Sequence, residues 1–130
     1  MLKNLSPILS GALLRALDET PSGAWIAIAS RAHHDVEGID APESTVEDVV
    51  AALLAVTPLE ADAPIVTEGE GEQSDTVFAV AGLAADAEGR RFKLLAVSEL
   101  AFSALLKESH VVIVVDDPMP AGFLLCKGRC

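Results

Sequence analysis

The side chains best suited to acid–base chemistry lie close together near residue 33. His33 and His34, two of the three histidines, are preceded by Arg31 and followed by Asp35. An imidazole exchanges protons near neutral pH, and an arginine can hold a carboxylate or phosphate through two hydrogen bonds. We therefore take His33 and His34 as candidate catalytic residues, and Arg31 and Asp35 as candidate ligand-binding residues. The alternative is an exposed loop in which Arg31 pairs with Asp35 or Glu37.

A short predicted strand, residues 24–29, positions this cluster. The turn residues 21–23, Pro-Ser-Gly, precede an apolar run that holds Ile26, Ile28 and the only tryptophan, Trp25. A short apolar run bounded by turn residues is typical of a buried strand. Ligands of open α/β sheets bind outside the carboxyl ends of the strands. The polar residues after this strand are therefore placed where a site is expected.

The rest of the chain alternates between helical and extended patterns. Periodicity and capping residues predict four helices, and apolar runs predict four further strands after a polar loop at 30–43. The helices are 10–18, 44–56, 75–88 and 98–107, and the strands are 64–66, 92–97, 111–115 and 122–127. Alternating strands and helices predict an α/β fold, a mostly parallel sheet flanked by helices. We expect one domain over residues 1–130.

Two helix starts carry clear capping signals, and one helix is ambiguous. Ser44 with Glu47 three residues later is a capping box, and Ser98 can cap the fourth helix. In that helix Leu100, Ala101, Ala104 and Leu105 are predicted to face inward. The segment 77–97 also fits a β-hairpin, but the apolar spacing and the stop at Gly89 favour a helix over 75–88.

Composition excludes several classes of protein. The formal charge of −11 argues against a nucleic-acid partner, whose phosphates require Lys and Arg, and against an anionic membrane surface. No apolar stretch is long enough for a membrane span, and residues 1–14 do not fit a signal peptide, so we expect a cytoplasmic protein. Cys126 and Cys130 fit neither a disulfide nor a metal cluster. We expect no metal and no cofactor.

Two blocks of the sequence resemble a known family. The opening block MLKNLSPILSGALLRALDE is followed by a turn, a strand and a polar loop, and the closing block combines VVIVVDD, a proline turn and AGFLLCKG. Together they resemble the RbsD/FucU family of D-ribose pyranases and L-fucose mutarotases. The resemblance implies a compact α/β subunit and a ring-shaped homo-oligomer, often a decamer. It also implies the interconversion of the ring forms of a monosaccharide without a cofactor.

The chain departs from this family at the polar positions that carry its chemistry. The resemblance matches Ser22 to the histidine of the family's Gly-His-x-Asp turn and Ser30 to its sugar-binding aspartate. It matches Ser98 to a His or Arg, Pro120 to a Tyr and Gly122 to an Asn. These five positions join Arg31 and Asp35 as our candidate ligand-binding residues. A serine hydroxyl can hydrogen-bond a sugar, but it does not replace an imidazole as an acid or base unless another group activates it.

Three hypotheses follow for the function. The first is a mutarotase-like protein that binds a small sugar-like molecule with weak or no catalysis of the family type. The second is an enzyme acting on another small molecule, with His33 or His34 as acid or base. The third is a non-catalytic oligomeric scaffold. The five substituted positions favour a pseudoenzyme that retains binding.

Overall fold

The computed structural model describes residues 10–30, 38–41, 45–60, 62–68, 75–115 and 122–128. Within these ranges four helices and six strands alternate along the chain as an α/β domain, as expected. The helices are α1 (Gly11–Glu19), α2 (Val46–Val56), α3 (Asp75–Glu88) and α4 (Glu99–Glu108). The strands are β1 (Trp25–Ser30), β2 (Ile39–Ala41), β3 (Ile65–Glu68), β4 (Leu94–Val97), β5 (Val111–Val115) and β6 (Gly122–Cys126).

The strands form one mixed sheet in the order β2-β5-β1-β6-β3-β4. β2, β5 and β1 are parallel neighbours, as are β3 and β4. Only β6 runs the other way, antiparallel to both β1 and β3. The prediction of a mostly parallel sheet is therefore confirmed. β6 joins two parallel groups of strands into one sheet.

The two faces of the sheet are covered unequally. Alternate strand residues point to opposite faces, and Ile26 and Ile28 pack in the cluster that also holds the buried side chains of α1, α2 and α3. Ala27 and Ala29 belong to a smaller cluster formed with α4. Three helices therefore cover one face and a single helix covers the other. The covering helices include α3, so the helical interpretation of residues 75–88 is confirmed.

α4 presents a different face to the sheet than the sequence suggested. Ser98 caps the helix as predicted, since its Oγ accepts the Ala101 N–H at 3.1 Å. Phe102 and Leu106 are the buried residues of the helix, whereas Leu100 is 83% exposed. The prediction that Leu100, Ala101 and Ala104 face inward is wrong, since all three are exposed, whereas Leu105 is partly buried against the α4 cluster. The reason lies in the sheet, where small residues below α4 make room for the ring of Phe102.

Two further local predictions need correction. α2 begins one residue later than the predicted capping box, because its cap is Thr45, whose Oγ1 accepts the Asp48 N–H at 3.2 Å. Ser44 lies outside the described residues. The polar loop after β1 also contains a strand, β2, that was not predicted. β2 pairs with β5, which would otherwise present the edge of a strongly apolar strand.

Lys127 ties the end of β6 to the end of α1. Its half-buried side chain places Nζ 2.7 Å from Leu17 O and 2.7 Å from Thr20 O. These are the carbonyls at the helix C-terminus, where a cation is favoured by both hydrogen bonding and the helix dipole. The backbone of Lys127 also bonds Ala24 and Gly23. One residue therefore fixes the turn between α1 and β1.

Cys126, beside Lys127, is a buried thiol. Burial raises its pKa above the ordinary value, and the negative charge of Glu60 raises it further.

We expect the titration of Cys126, followed by thiolate absorbance in a Cys130→Ser variant, to move to lower pH when the protein is unfolded in urea. Because the folded pKa is the higher one, this thiol leaves stability unchanged below its unfolded pKa. Stability then falls as pH rises toward the folded pKa. Equal midpoints in folded and unfolded protein would contradict this expectation.

Candidate functional site

The carboxyl edge of the sheet gathers most of the described candidate residues. β1, β3, β4 and β5 all end there, and β6 begins there. Ser30 is the last residue of β1, and Ser98 follows the last residue of β4. Gly122, the first residue of β6, pairs with Ala29. The three matched positions therefore lie along one edge, over roughly 14 Å from β1 to β4 at the usual strand spacing.

Ser30 is fully buried at the end of β1. It lies beside Val115 in the register of β1 and β5. Alternation with Ile26 and Ile28 directs its side chain toward the face covered by three helices. A neutral hydroxyl is tolerated at such a position, whereas an ionised carboxylate there would have a large desolvation cost. Compared with the aspartate that the resemblance matches to this position, Ser30 therefore avoids a buried charge at the end of β1.

Gly122 is also buried, and its lack of a side chain has a packing cause. A Cβ atom built on Gly122 would lie 2.5 Å from both Cε1 and Cζ of the Phe102 ring. Phe102 is fully buried. The glycine therefore allows α4 to approach the sheet directly above the start of β6. An asparagine at this position would not fit with Phe102 in place.

Ser98 has a structural role at the same edge. Its side chain is half-buried, and its Oγ accepts the Ala101 N–H to cap α4. A capping hydroxyl still carries one O–H donor. Ser98 can therefore offer that proton to a ligand oxygen without losing its role in the helix.

Ser22 lies at the opposite, amino edge of the sheet. It stands in the turn before β1, is exposed, and its Oγ donates to Gly128 O at 3.3 Å. β1 alone spans roughly 17 Å, so Ser22 and Ser30 do not share a pocket within one chain. Gly23 makes the turn possible with a φ of 88°.

The other predicted site residues lie outside the described residues. These are His33, His34, Arg31, Asp35 and Pro120. Their assigned roles, His33 and His34 as catalytic and the other three as ligand-binding, stay predictions.

Glu68 is a carboxylate at this edge that sequence reasoning missed. It is the last residue of β3, where it pairs with Val97, and its side chain is half-buried. Because it alternates with Thr67, Glu68 shares the α4 face with Val66. α4 begins just after Val97 and Ser98, and a helix N-terminus favours a negative charge nearby. The predicted strand 64–66 ends two residues before Glu68, because the polar and acidic residues that follow Val66 do not fit an apolar strand pattern.

The described part of the chain offers no group of three or more His, Cys, Asp or Glu side chains placed to hold a metal. None of its helices has the length and apolar character required to cross a membrane. What the described part of the edge offers chemically is hydroxyl and carboxylate oxygen, the groups that hydrogen-bond a polyhydroxylated ligand.

No protein-family model matches the sequence, and no curated protein matches it significantly. Solved structures do match over the full chain. A protein described as a candidate sugar-binding protein has a TM-score of 0.86 at 22% identity, covering 100% of this chain and 97% of its own. The fucose mutarotase of Streptococcus pneumoniae, solved with L-fucose, has a TM-score of 0.84 at 17% identity, covering 99% of each chain. Bacillus subtilis RbsD, solved with D-ribose, has a TM-score of 0.77 at 20% identity, covering 100% of this chain and 99% of its own. The chain has the RbsD/FucU fold.

Proposed function

From this shared fold we propose that the protein binds a small neutral monosaccharide at the carboxyl edge of its sheet, with weak or no mutarotase activity. The observation that carries the proposal is the full-length structural match to proteins solved with L-fucose and D-ribose. On the α4 side of this edge Ser98 supplies a hydroxyl group, and Glu68 supplies a carboxylate. A sugar is recognised by such an arrangement of acceptors and donors.

The same residues argue against efficient ring opening. Mutarotation requires an acid and a base that exchange protons with the anomeric hydroxyl and the ring oxygen. Serine replaces an acid–base or acidic residue at all three matched serine positions, Ser22, Ser30 and Ser98. Ser30 is buried within the edge, and the Ser98 oxygen already accepts a backbone hydrogen bond. Binding without strong catalysis is the function that this set of groups supports.

We expect D-ribose or L-fucose to bind, and the exchange between their ring forms to remain close to the rate in buffer. Calorimetry measures the binding, and saturation-transfer NMR on the anomeric protons measures the exchange. Clear protein-dependent exchange would contradict the second expectation and favour catalysis. In that case His33→Ala and His34→Ala identify whether either histidine is the base.

Glu68 provides the sharpest test of where the sugar binds. Glu68→Gln retains the size of the side chain but removes its charge, and we expect sugar affinity to fall about tenfold, since hydrogen bonds to charged groups are the stronger ones. Glu108→Gln is the matched control, because Glu108 is the exposed last residue of α4, near the opposite edge. Equal affinities for both variants and the unchanged protein would place the sugar elsewhere.

We also propose a homo-oligomer formed through the face that α4 covers. Of the described helices only α4 packs there, and Leu95 and Leu100 are 51% and 83% exposed. Leu95 is in register with Val66, so it belongs to the α4 face, and it lies on the edge strand β4. An edge strand and exposed leucines on one face are features that a second copy of the chain can cover.

Light scattering at micromolar concentration is expected to give a multiple of the 13.5 kDa chain mass. The double variant Leu95→Lys with Leu100→Lys is expected to shift the mass toward the monomer. Phe78→Lys serves as the control, since Phe78 is 58% exposed but belongs to α3, on the other face. A monomer mass for the unchanged protein would refute the oligomer, and dissociation by Phe78→Lys alone would move the interface to α3.

A further inference from the structure

A cavity lies at the amino edge of the sheet, away from the candidate sugar site. It has a volume of about 490 Å³, within the range of small-molecule pockets. Its walls come from α1, the start of β2, the end of α4 and the start of β5. The matched positions within the described residues, Ser22, Ser30, Ser98 and Gly122, do not line it. The cavity is therefore a separate feature of the fold.

Most of the cavity wall is aliphatic. Ala16, Ile39, Leu106, Val111 and Val112 contribute side chains to it. Gly38 completes this wall by bringing its backbone against β5, since a Cβ atom there would lie 2.5 Å from Val112 O. A wall of this kind favours the apolar body of a ligand.

The polar groups of the cavity come from three positions at the end of α4 and in its connection to β5. Lys107, Ser109 and His110 line one side. Ser109 is already bonded, because its Oγ donates to Leu105 O at 3.0 Å. The backbone N–H of His110 donates to Trp25 O at 2.9 Å, which fixes its position beside β1. Among the described residues, neither the Lys107 ammonium nor the His110 ring has a hydrogen bond or an ion pair.

The charge of this lining differs from that of the whole chain. The protein has 20 acidic and 9 basic residues, yet the described residues that line the cavity include a lysine and a histidine and no carboxylate. Two features oppose an anion here: the exposed carboxylate of Glu108 is nearby in sequence, and the C-terminus of α4 carries partial negative charge. The Ser109 hydroxyl and N–H satisfy two of the terminal carbonyls, which reduces the second effect.

We propose that this cavity binds a small organic monocarboxylate with an aliphatic body. The carboxylate lies between Lys107 and His110, and the hydrocarbon chain lies against Leu106, Val111 and Val112. A phosphate alone would pair with the Lys107 ammonium and the His110 ring but leave the aliphatic wall unused. A neutral alcohol of the same length would use the wall but leave the Lys107 ammonium unpaired. The combination of both surfaces selects an amphiphilic acid.

Hexanoate is the probe for the experiment, with hexanol, acetate and inorganic phosphate as comparisons. Titrations of the full-length protein are followed by NMR, using the amide signals of Gly38 and Val112 and the ring signals of His110. We expect saturable shifts with hexanoate, and affinity that falls about fourfold for each methylene removed toward acetate. We expect hexanol to bind about three- to fivefold more weakly than hexanoate, the usual range for an exposed ion pair.

Three variants test the two parts of the cavity separately. Lys107→Gln should reduce hexanoate affinity about three- to fivefold, whereas Lys93→Gln, an exposed lysine outside the cavity, should not change it. Ala16→Leu adds volume within the cavity from α1, where leucine is well tolerated in a helix, and should abolish the shifts. Unchanged thermal unfolding shows that the variants fold. Unsaturable shifts, or affinity unaltered by both Lys107→Gln and Ala16→Leu, would overturn the proposal.

Discussion

Replacing Gly122 with alanine is expected to lower the free energy of unfolding by about 2–3 kcal/mol. The added Cβ would lie 2.5 Å from two carbon atoms of the Phe102 ring, far inside van der Waals contact. Neither partner can move freely, because Gly122 pairs with β1 and the Phe102 side chain is fully buried between α4 and the sheet. Urea denaturation measures the loss.

A second substitution, at Phe102, tests whether the loss of stability comes from the clash with the Phe102 ring. Phe102→Leu frees space above β6, so the double variant Gly122→Ala with Phe102→Leu should be more stable than the sum of the two single effects predicts. Gly82→Ala is the matched control, since a Cβ atom there meets nothing within 4 Å. In the middle of α3 it should stabilise the protein by about 0.5–1 kcal/mol. Additive effects in the double variant would show that the ring does not require the glycine.

Replacing Lys127 with methionine is expected to cost about 2 kcal/mol of stability. Methionine retains the length and apolar stem of lysine but removes the ammonium group, which lies 2.7 Å from both Leu17 O and Thr20 O. Two carbonyls at the C-terminus of α1 would lose a cationic donor in a partly buried setting. Thermal unfolding and urea denaturation should both detect the change.

Lys93→Met is the control for the loss of a lysine charge, because Lys93 is exposed and lies at the start of β4. We expect it to change stability by less than about 0.5 kcal/mol. Hydrogen exchange adds a local reading, since Lys127→Met should reduce protection in α1 more than in α3. Equal destabilisation by the two lysine variants would indicate a general charge effect instead of a specific cap.

Local chemistry made much of this fold predictable. The Ser98 cap, the α3 helix and the apolar strand β5 follow from residue type and spacing over a few positions. The start of α2 was misplaced by one residue because Ser44 with Glu47 and Thr45 with Asp48 offer the same pattern. The sequence alone does not separate two overlapping caps that differ by one residue.

Features that depend on distant residues were not predictable. Phe102 faces the sheet because Gly122 leaves room for its ring. The sequence of α4 alone does not indicate that a distant glycine lies opposite this position. The candidate site shows the same limit. The resemblance matched Ser22 and Ser30 to ligand-binding positions, and only the folded chain shows that β1 carries them to opposite edges of the sheet. Glu68 was hidden by the acidic residues after it, since only pairing with β4 shows that β3 extends that far.

The central position of β6 has a consequence for how the chain reaches its native state. β6 is the only described strand that bonds both β1 and β3, and its residue Cys126 pairs with Trp25, about a hundred positions earlier. Closing so large a loop costs chain entropy before the strand pairing that compensates for this loss has formed. β3 and β4 pair across 29 positions (Ile65 with Leu94), but β1 and β5 pair across 85 (Ile26 with Val111). β6 follows β5 closely in the chain, so the pairing of β5 with β1 also brings β6 beside β1. The rate-limiting step of folding is therefore expected to be this long-range pairing of β1 with the β5–β6 segment, and folding is expected to be slower than in a helical protein of the same length.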